Sequence, residues 1–466
     1  MPPRILSPSG RVLRFWQGAG RALMPFADVA SPGLPWRKLA RLALFQITVG
    51  FCAALIIGTL NRVMIVELHL SAALVSIMIS LPLVLAPLRT FIGFKSDQHR
   101  SAFGWKRLPY LWFGTLMQWG GLAIMPFALI VLSGDSRAPY FVGPVAASLA
   151  FLLVGAGMHT TQTAGLALAT DMAPEESRPR VVGMLCMMLL LGICLGALGY
   201  GALLRHFSEL RLVQVVQGSA VITLFINGFA MWQQEPRRAA THQDTTPQPS
   251  LAQAWAAFRT EDRAIRRLVT IGLGTMALSM QDILLEPYGG QVLHLTVSQT
   301  TSLTAALACG GLAGLALAGW RLTRGADPFR IAALGLLMGL AAFVSVIASA
   351  PLNLPPMFAG GVFLVGFSGG LFLVGTLSDA MGRAKRGQSG LALGAWGSVQ
   401  AVAAGSAIAL GGILRDSVAA WSTSPTAGYD AVYLLEICLI FVTLIALGPL
   451  VRGNAQPSFP LQTIKA

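Results

Sequence analysis

The sequence predicts an all-α polytopic membrane protein, with twelve transmembrane helices arranged as two pseudo-symmetric six-helix halves. Three observations predict it. The chain of 466 residues is 55% hydrophobic and only 11% charged, whereas a soluble surface needs about a quarter charged residues. Apolar runs long enough to cross a hydrocarbon core of about 30 Å recur along the whole chain. Lys and Arg alternate with them: roughly 27 lie at the ends and after even-numbered helices, and roughly 4 after odd-numbered ones.

The runs of the first half fall at 40–63, 71–93, 108–132, 141–168, 181–204 and 212–232. Those of the second fall at 268–286, 297–320, 329–350, 357–377, 390–414 and 431–451. Residues 1–39 form a basic leading segment and 452–466 a tail. The charge alternation places both termini in the cytoplasm, because a skipped helix would scramble it. Among the basic residues Arg4, Arg11, Arg14 and Arg21 stand Val12, Leu13, Phe15 and Trp16. That pattern suits either an interfacial helix on anionic lipid or a basic tail. The linker 233–267 is polar. In it Leu251, Trp255 and Phe258 share one face of a short amphipathic helix that Ser250 can cap.

The formal charge of +14 is spread between apolar runs, which is the pattern of membrane orientation and not of a nucleic-acid groove. The expected partners are membrane lipids, with no nucleic acid. Cys52, Cys186, Cys194, Cys309 and Cys438 all lie in apolar stretches without a CxxC pair, so neither a disulfide frame nor a metal site is expected. A repeat is visible between the halves. VELHLSAALVS around His69 matches QVLHLTVSQTTSL around His294, and LALATD ending at Asp171 matches LVGTLSD ending at Asp379. Duplicated halves of this kind are expected of a transporter scaffold.

Three groups of polar residues are candidates for chemistry. After the second run, Gly93 and Asp97 keep the G-x-x-x-D spacing of the facilitator loop motif, with a basic cluster continuing in Lys106 and Arg107. The glycine permits close helix approach and the aspartate can bridge to neighbouring basic ends, a cytoplasmic latch. Asp171 and Arg178 can join it, and Arg89 needs Asp97 or Asp171 if it lies within the hydrocarbon. The second group is Asp282 and Glu286 in the seventh run, four residues apart and so on one helix face. By the repeat offset, Asn61 and Arg62 are their counterparts. The expectation is an ion pair of Arg62 with Asp282 or Glu286 across the two halves; the alternative is that both acids reach surface water. The third is the row His159, Thr160, Thr161, Gln162 and Thr163, about 18 Å of helix from Asp171 and thus near mid-membrane. His159 there can ligate the magnesium of a chlorin, contact a substrate through hydrogen bonds with Thr160 and Gln162, or simply pack. Met184, Met187 and Met188 in the fifth run offer an adaptable apolar surface or ordinary core. No HExxH, Walker loop, GxSxG or CxxCH is present, so no catalytic residue is assigned and no enzyme is expected.

GTLNRVMIVEL, GFKSDQHRSAFGWKRLPYLWFGTL, HTTQTAGLALATD and MQDILLEPYGGQV together resemble the bacteriochlorophyll-delivery family of PucC and LhaA type, a branch of the major facilitator superfamily. The resemblance runs from about Arg37 to Val451. It implies a major-facilitator fold in the bacterial inner, intracytoplasmic photosynthetic membrane. It also implies a role in assembling light-harvesting antenna complexes, with bacteriochlorophyll as bound cargo. The implied partners are antenna polypeptides, the reaction-centre complex or bacteriochlorophyll synthase. Two other readings stay open: an insertion chaperone that moves nothing, and a proton-coupled exporter of small solutes using Asp282, Glu286 or His159.

Overall fold

A computed structural model describes residues 36–84, 105, 107–134, 139, 141–174, 178–235, 263–383, 389–422 and 424–453. They form twelve helical segments in two halves, and eleven are long and apolar enough to cross a membrane. In the first half these are α1 (Arg37–Glu67), α2 (Ala72–Val84), α3 (Leu108–Leu132), α4 (Val142–Met172), α5 (Arg178–Leu203) and α6 (Glu209–Met231). The second half has α7 (Ala264–Gln291), α8 (Val297–Thr323), α9 (Pro328–Ser349), α10 (Pro355–Arg383), α11 (Ser389–Trp421) and α12 (Pro425–Gly453). Each expected run has its helix. The end of the bundle that holds the start of α1 is called here the terminal side, and the other the far side. The leading segment, the linker helix around Trp255 and the tail lie outside the described residues.

Only helices can satisfy every backbone group in hydrocarbon, so polarity concentrates at their ends. Thr296 and Gln299 form a reciprocal capping box at the start of α8. Asp327 accepts the backbone N–H groups of Phe329 and Arg330 at 2.8 and 3.0 Å to start α9. Glu235, beyond α6, accepts those of Arg107 and Leu108 at 3.0 and 2.9 Å and so caps α3 from across the half. Outward faces remain apolar, as at Phe113, Phe225 and Ile445, because lipid is their solvent.

The duplication read from the sequence is carried by the backbone. His69 and His294 both adopt the left-handed conformation, at φ 53° and 54°, in the turn before the second helix of each half. Shifted by that same offset, the Ala54–Leu60 stretch of α1, wound as π-helix, falls on residues 279–285 of α7. There the helix ends at Met276, tightens to a 3₁₀ turn over Met280–Ile283 and resumes at Leu285. The leading helices thus both depart from α geometry at this repeat position, loosened in α1 and tightened in α7, and α1 is π-wound again over Val63–Glu67.

The halves meet along α2 against α11 and α5 against α8. On the far side Asp416 of α11 accepts the Ala73 N–H at 2.7 Å, Ser298 donates to the Gly201 carbonyl at 2.7 Å, and Arg62 donates to the Leu295 carbonyl at 3.2 Å. Midway, the sulfurs of Cys194 and Cys309 lie 3.4 Å apart. The far-side core of the first half, including Leu60, Val63 and Leu122, is continuous with the core of the second. Its terminal-side core, around Leu42, Phe45, Leu168 and Met184, stands separately.

Candidate functional site

Three groups of residues define the polar interior. The first is a cavity of about 200 Å³ between the halves. Ala53 and Ile57 of α1, Ile193 of α5, Leu303 of α8 and Val362 of α10 give it apolar walls, and Asp282, Glu286 and Thr304 its polar floor. The break in α7 makes this site. With the helix interrupted at 276–285, Asp282 and Glu286 no longer share one continuous helical face, which corrects the expectation drawn from their spacing. Glu286, 3% exposed, accepts the Thr304 hydroxyl. Asp282 accepts from the Gln281 side-chain amide at 2.8 Å. Backbone groups freed by the break also find partners: Glu436 of α12, fully buried, accepts the Gln281 N–H at 2.9 Å, and Asn61 of α1 donates to the Ile283 carbonyl at 3.2 Å.

Arg62 does not bond to either acid. Its guanidinium pairs with Glu67, one helical turn further on, and with the Leu295 carbonyl. The reason is helical winding. Arg62 stands between two π-wound stretches, Ala54–Leu60 and Val63–Glu67, and the wide second turn brings Glu67, five residues on and 37% exposed, to its guanidinium. The proposed Arg62–Asp282 or Arg62–Glu286 pair is thus replaced by a local one, and the cavity acids are left facing apolar walls.

The second group lies within the first half and is neutral. Thr48 of α1 donates to Asn227 of α6 at 2.6 Å, and Asn227 donates to Thr115 of α3 at 3.1 Å. Gln118 donates to Thr161 of α4 at 2.7 Å and accepts a weak Cys52 thiol contact at 3.6 Å. Thr161 therefore belongs to an interhelical network. Thr160 instead turns its hydroxyl back to the Ala156 carbonyl at 2.8 Å, and Gln162 reaches Gln46 of α1 at 3.5 Å. His159 is half-buried. On the α4 helical wheel it falls between the stripe of Gly155 and Gln162, which meets α2 and α1, and the stripe of Leu152 and Ala156. The latter lines an open apolar groove of about 400 Å³ with Met117 and Ile124 of α3. Met188, half-buried, packs on the separate core around Phe45 and Met184. None of His159, Thr160 and Met188 is among the residues that line the groove.

The third group is at the terminal side. Arg107 holds Asp171 through Nε at 3.2 Å, and Arg267 holds Asp379, the repeat partner of Asp171, at 3.6 Å. Arg89, Gly93, Asp97 and Lys106 lie outside the described residues; Arg178 opens α5, and its side chain is not among those described.

Sequence reasoning missed Glu436, Gln118 and Asn227. Glu436 carried a usable signal, as the one carboxylate well inside the run 431–451, where an ionisable residue marks a site. No group of three His, Cys, Asp or Glu able to hold a metal occurs among the described residues.

The comparisons with known proteins follow this geometry. A model of the PUCC protein family matches residues 59–455. The protein named PucC of Cereibacter sphaeroides is 50% identical over 441 residues, covering 93% of this chain and 96% of that protein. The PucC of Rhodovulum sulfidophilum is 52% identical over 405 residues, 86% of this chain and 89% of the other. Among solved structures, a bacterial homologue of the human lysosomal transporter Spinster, in an inward-facing unoccupied conformation, aligns at a TM-score of 0.65 and 14% identity. It covers 92% of this chain and 100% of that one. At that identity the likeness speaks for the fold alone, which is the major-facilitator fold.

Proposed function

The chain belongs to the PUCC protein family, and on that premise we propose that it is a membrane assembly factor for light-harvesting antenna complexes which handles bacteriochlorophyll. The observation that carries this reading is identity of about one half to proteins named PucC, sustained over nearly the whole of both chains. The multi-pass fold supports work inside the bilayer, where antenna polypeptides, reaction-centre complex or bacteriochlorophyll synthase would be met. The photosynthetic inner membrane, with both termini cytoplasmic, is the matching location, supported by the alternation of basic loops.

The geometry bears on where pigment would sit. A cavity of about 200 Å³ falls below the ~300–1,000 Å³ typical of pockets that enclose drug-sized ligands. A chlorin with its phytyl tail is larger than that cavity can enclose. The α3–α4 groove is larger, apolar and open, and on α4 the half-buried His159, on the stripe next to that of Leu152 and Ala156, carries an imidazole of the kind that suits the magnesium of a chlorin. The groove is therefore the docking place we assign to bacteriochlorophyll in this conformation.

The test is an absorption spectrum of the protein purified in mild detergent from pigmented cells lacking antenna polypeptides. Stoichiometric bacteriochlorophyll is expected, with the pigment lost in His159→Leu and in groove variants such as Leu152→Trp. A colourless protein that is still required for antenna assembly would overturn pigment handling and leave an insertion chaperone.

A further inference from the structure

Around the break in α7 four buried side-chain oxygens have no hydrogen-bond partner among the described residues: Asn61 Oδ1, Gln281 Oε1, Glu286 Oε2 and Glu436 Oε2. The Arg62 Nε and the hydroxyls of Thr275 and Tyr433, in the same region, are unpartnered as well, so the break leaves a set of buried polar groups that do not satisfy one another. The two carboxylates matter most. Glu286 and Glu436 are 3% and 0% exposed, and an unpaired charge so placed is strongly unfavourable because its lost hydration is not replaced.

Among the described residues no cation bonds to either carboxylate: Arg62 donates to Glu67 and the Leu295 carbonyl, and its Nε donates to neither acid. Among the described residues the titratable groups around this part of α7 also include Asp282 on the same helix, Tyr288 beyond it, Tyr429, Asp430, Tyr433 and Glu436 from α12, and the thiols of Cys194 and Cys309. From α8 and α10, Thr304 and Val362 line the cavity and bring no charge. A metal ion has no ligand set, since no trio of suitable side chains is close enough among the described residues.

We propose that Glu286 is a proton-binding site, loaded from the inter-half cavity that it lines. A proton on Oε2 removes the uncompensated charge and turns an orphan acceptor into a donor. Glu436 plays a mechanical part instead, with its other oxygen fixed on the Gln281 N–H of the break. The site stands whether the cargo is pigment or something else, so its test is independent of the absorption experiment.

The test treats the purified full-length protein with N,N′-dicyclohexylcarbodiimide and locates the adduct by peptide mass spectrometry. The reagent reacts with a carboxylic acid in an apolar site. The acid proton passes to one carbodiimide nitrogen, the carboxyl oxygen bonds to the central carbon, and an oxygen-to-nitrogen acyl shift leaves an N-acylurea with nothing released. One adduct on Glu286 is expected, declining as the pH is raised and lost in Glu286→Gln, whose neutral side chain keeps the protein folded. An infrared spectrum at neutral pH gives a second readout free of reagent access: the carboxylic-acid C=O band should be weaker in Glu286→Gln than in the parent. An unchanged band would overturn the proposal. So would labelling that is blocked by sodium and indifferent to pH, which would mark a cation site.

Discussion

The two halves share a backbone plan and differ in what they bury. The first half carries a neutral network between its helices, in which Thr48, Asn227 and Thr115 form one chain of hydrogen bonds and Gln118 with Thr161 another, while its buried Arg62 pairs with Glu67. The interior of the second holds Asp282, Glu286 and Glu436 about a broken helix, beside a cluster in which Tyr288 stands within 5.6 Å, ring centre to ring centre, of Phe358, Tyr429 and Tyr433. The same repeat position is π-helix in α1 and 3₁₀ in α7. A pair of equivalent folds can thus divide labour, one half acting as a hydrogen-bonded scaffold and the other carrying ionisable groups that the scaffold does not pair.

Breaking a close helix crossing in each half gives the largest expected effect. A Cβ at Gly157 would come within 2.6 Å of the Gln118 nitrogen, and one at Gly370 within 2.5 Å of the Gly311 carbonyl oxygen. Gly157→Leu and Gly370→Leu should each cost about 3 kcal/mol or more, read as loss of folded protein on size-exclusion chromatography. If only one fails, the halves do not depend equally on their crossings.

Next comes the helix break. Glu436→Leu strands the Gln281 N–H and should cost about 2 kcal/mol, while Glu436→Gln, which keeps a carbonyl acceptor, should cost less than half as much. Thermal unfolding in detergent separates them, and equal losses would show that the charge of Glu436, not its acceptor, is what the break uses.

The neutral network should be softer. Gln118→Leu is expected to lower stability by about 1 kcal/mol, since interhelical bonds in membranes average near 0.6 kcal/mol. A loss as large as that of Glu436→Leu would erase the contrast between the halves. The smallest effect belongs to Arg62 and Glu67. With Glu67 37% exposed, a double-mutant cycle should return a coupling of about 0.5–1 kcal/mol. A coupling instead between Arg62 and Glu286 would restore the pair the repeat suggested.

The fold was legible because bilayer thickness and charge placement are written residue by residue. Each expected span found its helix, and the His69–His294 match located the repeat. The site was less legible. Asp282 and Glu286 stood out as acids in an apolar run, but the break between them depends on Glu436 and Asn61, which are distant in sequence and supply the bonds the broken helix forgoes. The destination of Arg62 turned on the winding of α1, which no pattern of residue types encodes. Gln118 and Asn227 read as isolated polar residues until folding set each beside a partner from another helix.

The left-handed histidines bear on how the second helix of each half is launched. A non-glycine residue held near φ +54° gives up about 1–2 kcal/mol relative to its right-handed state, so the surrounding turn must hold it there. Both turns hold histidine at that angle, so the two halves redirect the chain into their second helices by the same backbone device.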